Sequence, residues 1–380
     1  MASADNERRL FDASRKDVRL FMGRRPLTVG EMLAELGTGD AYLDRPQDAY
    51  GDGIVRELED RVAALLGKPA AAYFPTGTMA QQIALRVWAE RTGNPAVGLH
   101  PLGHIEAEER KAYAAVSGLR SIWPTTARRS PTAQEIRELA EPISSLVVEL
   151  PLRRAGFLLP TFEELTELCA AARDRGFSVH FDGARLWDCT TWFNRDLPVV
   201  ADLADSVYVS FYKSLAAFGG AALAGSAEFV AEAKAWRHRY GGQILIQWPH
   251  ILSALIGLDQ ELPRLREYAA HARTVATALA GLPGARVFPD PPHTQQFQLW
   301  LPHPAGDLEE AFLTMVEQDG LRFIGGWTEQ PPGGVSMAEV SVGADATSWS
   351  AEEVHRAGEL LLSRLPVRSA LERGRRSEGH

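Results

Sequence analysis

Lys213 sits in SVYVSFYKSLAAFGGAA, after a β-rich run and before a loop of small residues. A lysine at the end of a buried strand is partly stripped of water, which favours the neutral amine. Such an amine can attack an aldehyde and form a Schiff base. The ordinary alternative is a side chain that reaches from the strand end to solvent. The other four lysines are Lys16, Lys68, Lys111 and Lys234. Their arm, turn, charge-cluster and helix-surface settings read as solvated, so a mechanism that needs a reactive lysine points to 213.

Asp182 closes the run FSVHFD, on the same strand face as Ser178 and His180. The carboxyl ends of strands in open α/β sheets are where ligands gather. A carboxylate there can pair with the protonated ring nitrogen of a pyridine-type cofactor; the alternative is an Asp-Gly turn. Pro75-Thr76-Gly77-Thr78-Met79 reads as a strand-to-helix turn, and free amides at a helix N-terminus bind phosphate. A plain N-cap by Thr76 or Thr78 is the competing reading. His104, in LGHIEAEER, could stack on a planar ring and exchange protons near neutrality, or be a solvated or core histidine. His180 with Asp182, and Glu106, Glu108 and Glu109 near His104, match no HExxH-type spacing, so no metal is expected. A GxGxxG nucleotide turn is also absent from the sequence.

The elements that must position these groups follow from patterning. Ile54, Leu58, Val62 and Leu65 share a helical face that ends at Gly67. Ala70–Phe74 reads as a strand, followed by a helix from about Met79 to Arg91. Thr132 with Glu135, and Thr161 with Glu164, have capping-box spacing. Strands are expected at 144–150, 177–182, 206–211 and 221–226, with helices at 162–175 and 227–240. Strands separated by helices imply crossovers and a mostly parallel sheet. From 256 the texture shifts to a helix at 263–280, the runs ARVFPD, FQLWLP and AEVSVG, and a helix near 308–319. We therefore expect an arm over 1–49, a large α/β domain over 50–255, a small α+β domain over 256–365 and a frayed tail over 366–380.

Composition narrows the function. With 45% hydrophobic and 23% charged residues the chain is globular. A formal charge of −9 argues against nucleic acid or an anionic membrane as partner. No apolar run is long enough to span a bilayer, and the opening MASADNERRL has no secretory h-region. Cys169 and Cys189 form no disulfide framework, which suits a reducing compartment such as the cytoplasm.

Read in order, YGDG (50–53), PTGTMAQQIAL (75–85), GHI (103–105), HFDGARLW (180–187) and SFYKSL (210–215) resemble the threonine aldolase group of the β-eliminating lyase family. These are pyridoxal-phosphate enzymes of the aspartate-aminotransferase fold, fold type I. The resemblance spans roughly residues 50–250. It implies that Lys213 carries the cofactor aldehyde and Asp182 faces the pyridine nitrogen. Gly77, Thr78 and Met79 would hold the phosphate, His104 would stack on the ring, and Ser210 would help orient it. Arg185 would contact both the cofactor and the substrate carboxylate and Tyr50 the substrate, with His104 the base for the β-hydroxyl proton. The implied reaction cleaves a β-hydroxy-α-amino acid, threonine-like, to glycine and an aldehyde. The implied assembly is a homodimer or homotetramer with active sites between subunits, Tyr50 and the arm reaching a neighbour's site.

Departures from the family fall on substrate contacts. Arg19-Leu20-Phe21-Met22-Gly23 replaces a Ser-Asp-Thr segment, and Leu152 replaces a histidine. Glu339 stands at the position of a carboxylate-clamping arginine, and His238 and Leu245 replace a phosphate-side lysine and arginine. A diverged member is implied, its substrate larger or differently charged than threonine unless Arg153, Arg154 or Arg322 supplies the clamp. The alternatives are a related lyase working by β-elimination or transaldolation, or a silent binding protein that kept the fold.

Overall fold

The computed structural model describes residues 4–14 and 18–366, and they divide into two compact units. One unit runs continuously over Leu27–Ala269; the other combines the chain up to Pro26 with the chain from Ala270 onward. The larger unit holds α1 (Ile54–Leu66), β1 (Ala70–Phe74), α2 (Gly77–Thr92), β2 (Ala96–Gly98), β3 (Arg120–Ile122), β4 (Ser145–Glu149), α3 (Phe162–Asp174), β5 (Ser178–Gly183), β6 (Ser206–Ser210), β7 (Ala221–Gly225), α4 (Ala227–Arg239) and α5 (Trp248–Gln260).

Its seven strands lie in the order β1-β7-β6-β5-β4-β2-β3. Only β7 runs against its neighbours; the rest point one way, as the βα alternation requires. Burial of nearly every residue in β4 to β7 shows that both faces are covered. The apolar face of α1 (Ile54, Val55, Leu58, Val62, Leu66) belongs to the main core, and Gly67 ends the helix with φ 62°. The two expected capping boxes are formed, at Thr132 with Glu135 and at Thr161 with Glu164.

The division falls elsewhere than the sequence texture suggests. Leu36 is part of the larger unit's core, and buried Asp48 accepts the backbone N–H groups of Gln247 and Trp248. Residues 27–49 are therefore not an arm. At the far boundary, α5 buries Ile251, Leu252, Leu255 and Leu258 in that same core, which moves the break from 256 to 270.

The smaller unit has a four-stranded antiparallel sheet, with Gln296–Leu301 between Val335–Ser341 and Arg286–Phe288 and with Thr328–Gln330 at the edge. Arg19–Leu20 pairs in parallel with Leu321–Arg322. Phe21 is buried there, 4.9 Å from the Phe323 ring centre and 5.4 Å from that of Trp349. The frayed tail expected over 366–380 lies, beyond residue 366, outside the described residues. Among the described residues no helix is long and apolar enough to cross a membrane.

Candidate active site

The parallel register sets Glu149 of β4 beside Asp182 of β5, and Asp182 beside Tyr208 of β6. Alternation along β5 puts His180 on the same face. This face is polar and buried, and α2 covers it with matching groups. His180 Nε2 is 2.9 Å from Gln81 Oε1, and its Nδ1 is 2.8 Å from Ser206 Oγ, which also accepts a 2.8 Å bond from Trp88 Nε1. His180 is fully buried, and burial pushes its pKa down to about 3. It is a neutral structural link between sheet and helix.

A cavity of about 320 Å³ opens at the carboxyl end of this face. Pro75 to Thr78, His104, Asp182, Tyr208, Tyr212 and Lys213 are in its wall, with Gln81, Glu109 and the 218–220 turn. Gly77 is the first residue of α2, Thr76 its N-cap. The amides of Gly77 and Thr78 have no carbonyl within the helix to donate to. A side chain at 77 would overlap the Tyr208 hydroxyl, so the tyrosine can lie against the helix start only because residue 77 is glycine. Met79 is not part of the wall, and its N–H donates to Thr76 Oγ1 at 3.3 Å.

Lys213 follows β6 and is half-buried. Burial, then the Arg185 guanidinium, lower its pKa below the ordinary lysine range, with Asp182 and Glu149 opposing. Asp182 is 2% exposed. Burial raises its pKa, and the charges of Lys213 and His104 hold that rise back. Its Oδ1 accepts a 3.3 Å bond from Ala184 N–H. A carboxylate has about four lone-pair sites, so most of its acceptor capacity is left for whatever enters the cavity. Glu149 accepts the N–H groups of His104 (2.7 Å) and Arg153 (3.1 Å). Burial and the neighbouring Asp182 raise its pKa.

Not every expected residue reaches the cavity. Ser210 is fully buried and donates to the Ala184 carbonyl at 2.7 Å, so it secures the turn that carries Arg185. Arg185 lies over the Phe157 ring at 5.6 Å and acts on Lys213 through its charge. Tyr50 is 58% exposed, its backbone tied to Leu245 and Gln243, away from the cavity wall. Leu152 is in the apolar interior, its N–H bonded to the Leu158 carbonyl. Glu339 is on the central pair of strands of the smaller unit, opposite Gln298. Of the lysines read as solvated, Lys68 is partly buried with a lowered pKa and donates to Ala204 O at 2.7 Å. Lys234 pairs with buried Glu59 at 2.6 Å. Lys16 lies outside the described residues.

Glu149, Glu109, Tyr208, Tyr212 and Gln81 were not singled out as parts of one site. Glu149 obeys the same strand-end rule as Asp182 and could have been found by it. Tyr212 directly precedes Lys213. Nothing in the spacing marks Glu109 beyond its place in an acidic cluster.

A family model described as beta-eliminating lyase matches residues 31–301. A low-specificity L-threonine aldolase of Arabidopsis thaliana is 27% identical over 249 residues, covering 62% of this chain and 68% of that protein. The crystal structure of a candidate L-allo-threonine aldolase from Listeria monocytogenes superposes with a TM-score of 0.86 at 34% identity, covering 95% of this chain and all of that one. A structure of SPT with PLP, 15% identical, shares the fold at a TM-score of 0.65, covering 91% of this chain and 86% of that one.

Proposed function

The chain belongs to the beta-eliminating lyase family and has its fold type I architecture; from that premise we propose that this lyase is a pyridoxal-phosphate-dependent aldolase, cleaving β-hydroxy-α-amino acids to glycine and an aldehyde. One observation carries the reading. A lysine with a lowered pKa, a buried carboxylate with spare acceptor capacity and the open amides of a helix start share one cavity wall.

The residues fit the group. Lys213 supplies the amine for the cofactor aldehyde, Asp182 the acceptor for its ring nitrogen, and Gly77 and Thr78 the phosphate site. When bound, pyridoxal phosphate withdraws electrons from the α-carbon of an attached amino acid. The protein does the rest. Burial and Arg185 keep the Lys213 amine ready to lose its proton. Asp182 keeps a proton on the heterocycle. His104, at the cavity wall, takes the β-hydroxyl proton as the Cα–Cβ bond breaks; the β-carbon departs as the aldehyde and the α-carbon gains a proton to become glycine. With Leu152 buried, His104 is the histidine that this wall offers.

The test is to incubate protein and cofactor with threonine or phenylserine. Glycine plus aldehyde supports the reading; ammonia plus a keto acid points to β-elimination, and a colourless protein that takes up no cofactor points to a silent fold. Borohydride reduction with peptide mapping should label Lys213, and a label on Lys16, Lys68, Lys111 or Lys234 overturns the assignment.

We further propose that copies of the chain associate. Ile244, Leu245 and Ile246 are each 44–50% exposed, and the Leu245 carbonyl accepts the N–H of exposed Tyr50, an apolar strip of the kind that self-association covers. Two buried free cysteines, Cys169 and Cys189, suit a cytoplasmic setting.

A further inference from the structure

His104 begins a four-residue helix, and its backbone N–H is held by Glu149. Its ring has a second attachment. Nδ1 lies 3.3 Å from Oε1 of Glu109, whose side chain is 1% exposed. The other carboxylate oxygen of Glu109 accepts a 2.9 Å bond from Nε2 of Gln82, itself buried on α2. Oε1 accepts no hydrogen bond in the structure, and the imidazole is the donor group set beside it. A buried carboxylate oxygen left without a donor is costly, so the favoured ring state is one that presents N–H toward it.

That requirement fixes the tautomer. A neutral imidazole carries one N–H and one lone pair. If the N–H must face Glu109, it is on Nδ1, and Nε2 keeps the lone pair. We propose that Glu109 is a positioning residue, clamped by Gln82, that locks His104 with Nδ1 protonated and makes Nε2 the nitrogen that exchanges a proton with substrate. The proposal rests on the assignment of His104 as proton acceptor in the aldolase reading. The orienting carboxylate plays the part it has in Ser-His-Asp triads, without becoming protonated itself.

The charges around the ring act in the same sense. Facing His104 are Glu109 beyond its own helix, Glu149 from β4, Asp182 from β5 and Lys213 after β6, with the Tyr208 and Tyr212 phenols in the same wall. The Glu109 contact raises the His104 pKa most, Asp182 adds to it, and burial and Lys213 oppose it. His104 therefore stays cationic to higher pH than a free histidine, and its basic form emerges only as pH rises through that raised value. The acid limb of kcat/KM should follow it.

The test is nitrogen-15 NMR of histidine-labelled full-length protein, with and without pyridoxal phosphate, His104 being assigned from His104→Gln. The expected result is titration above 6.5 with a neutral form protonated on Nδ1. Glu109→Gln should lower the titration by about one pH unit, and Gln82→Met should lower it less. In turnover, Glu109→Gln should move the acid limb down by the same interval and reduce kcat with little change in KM; Glu109→Asp should restore part of kcat. An Nε2-protonated neutral form, or a titration unmoved in Glu109→Gln, overturns the proposal. Should Glu109→Gln not fold, by circular dichroism, an unmoved titration in both Gln82→Met and Glu109→Asp overturns it equally. The two readings fail separately. If no β-hydroxy amino acid is cleaved but the titration shifts, the aldolase reading falls and the Glu109–His104 pairing stands; if cleavage and the Lys213 label persist with an unmoved titration, only the pairing falls.

Discussion

Lys213 and Asp182 act through their surroundings more than through their identities. The Arg185 charge is the second-largest cause of the lowered Lys213 pKa, after burial. Arg185→Gln should therefore raise that pKa, leaving less neutral amine at pH 8; the pH dependence of Lys213 acylation, read by mass spectrometry, checks the direction. Asp182→Asn should leave the fold intact, judged by circular dichroism, and slow turnover by about 10²-fold or more, the scale seen when a preorganised electrostatic contact is lost. Their place in the cavity wall was legible because Asp182 lies at a strand's end and Lys213 just beyond one, positions that periodicity reveals. Ser210 and Met79 were not, although they flank the same strand and turn. Their polar groups are spent on Ala184 O and Thr76 Oγ1, partners that only the folded chain selects. Glu109 was hidden for the same reason: its meaning lies in a contact with Gln82, on another element.

At the level of elements, the junction of α2 with β5 and β6 carries the site. Gly77→Ala drives a methyl group into the Tyr208 hydroxyl. It should weaken cofactor affinity by displacing the helix start, and Tyr208→Phe on top of it should recover part of the loss in a fluorescence titration. The His180 link predicts acid sensitivity. Its pKa is about 3 folded against 6.5 as the reference, so the unfolded chain takes up the proton first as pH falls. The neutral link is fully stabilising above about pH 6.5, and its contribution declines from there toward pH 3. Thermal melts at pH 7 and pH 5 should differ by less in His180→Gln than in the parent, while the substitution itself costs about 1–3 kcal/mol at pH 7. Helices α1 to α4 and the five longer strands of the main sheet could be read from caps and periodicity. The three-residue β2 and β3 could not, because three residues are too few to show a period.

At the level of the whole molecule, the sequence suggested a linear succession of arm, large domain and small domain, and the structure joins both ends of the chain in one unit. Composition could not reveal this, because Arg19–Leu20 finds its partner strand some 300 residues away, a distance that no local pattern encodes. Self-association is the other property at this scale. Ile246→Asp should shift the protein to a smaller species in size-exclusion chromatography; an unchanged elution volume would remove that strip from consideration.

The joining of both ends also has a consequence in time. The cavity-lining residues leave the ribosome early, within the continuous segment 27–269, and can begin to fold while translation goes on. Phe21 emerges before them, yet Phe323 and Trp349, which enclose it, follow about 300 residues later, roughly 15–60 s at ordinary synthesis rates. For that interval the first aromatic anchor of the smaller unit waits as a nascent apolar segment, the form of chain that chaperones at the tunnel exit bind.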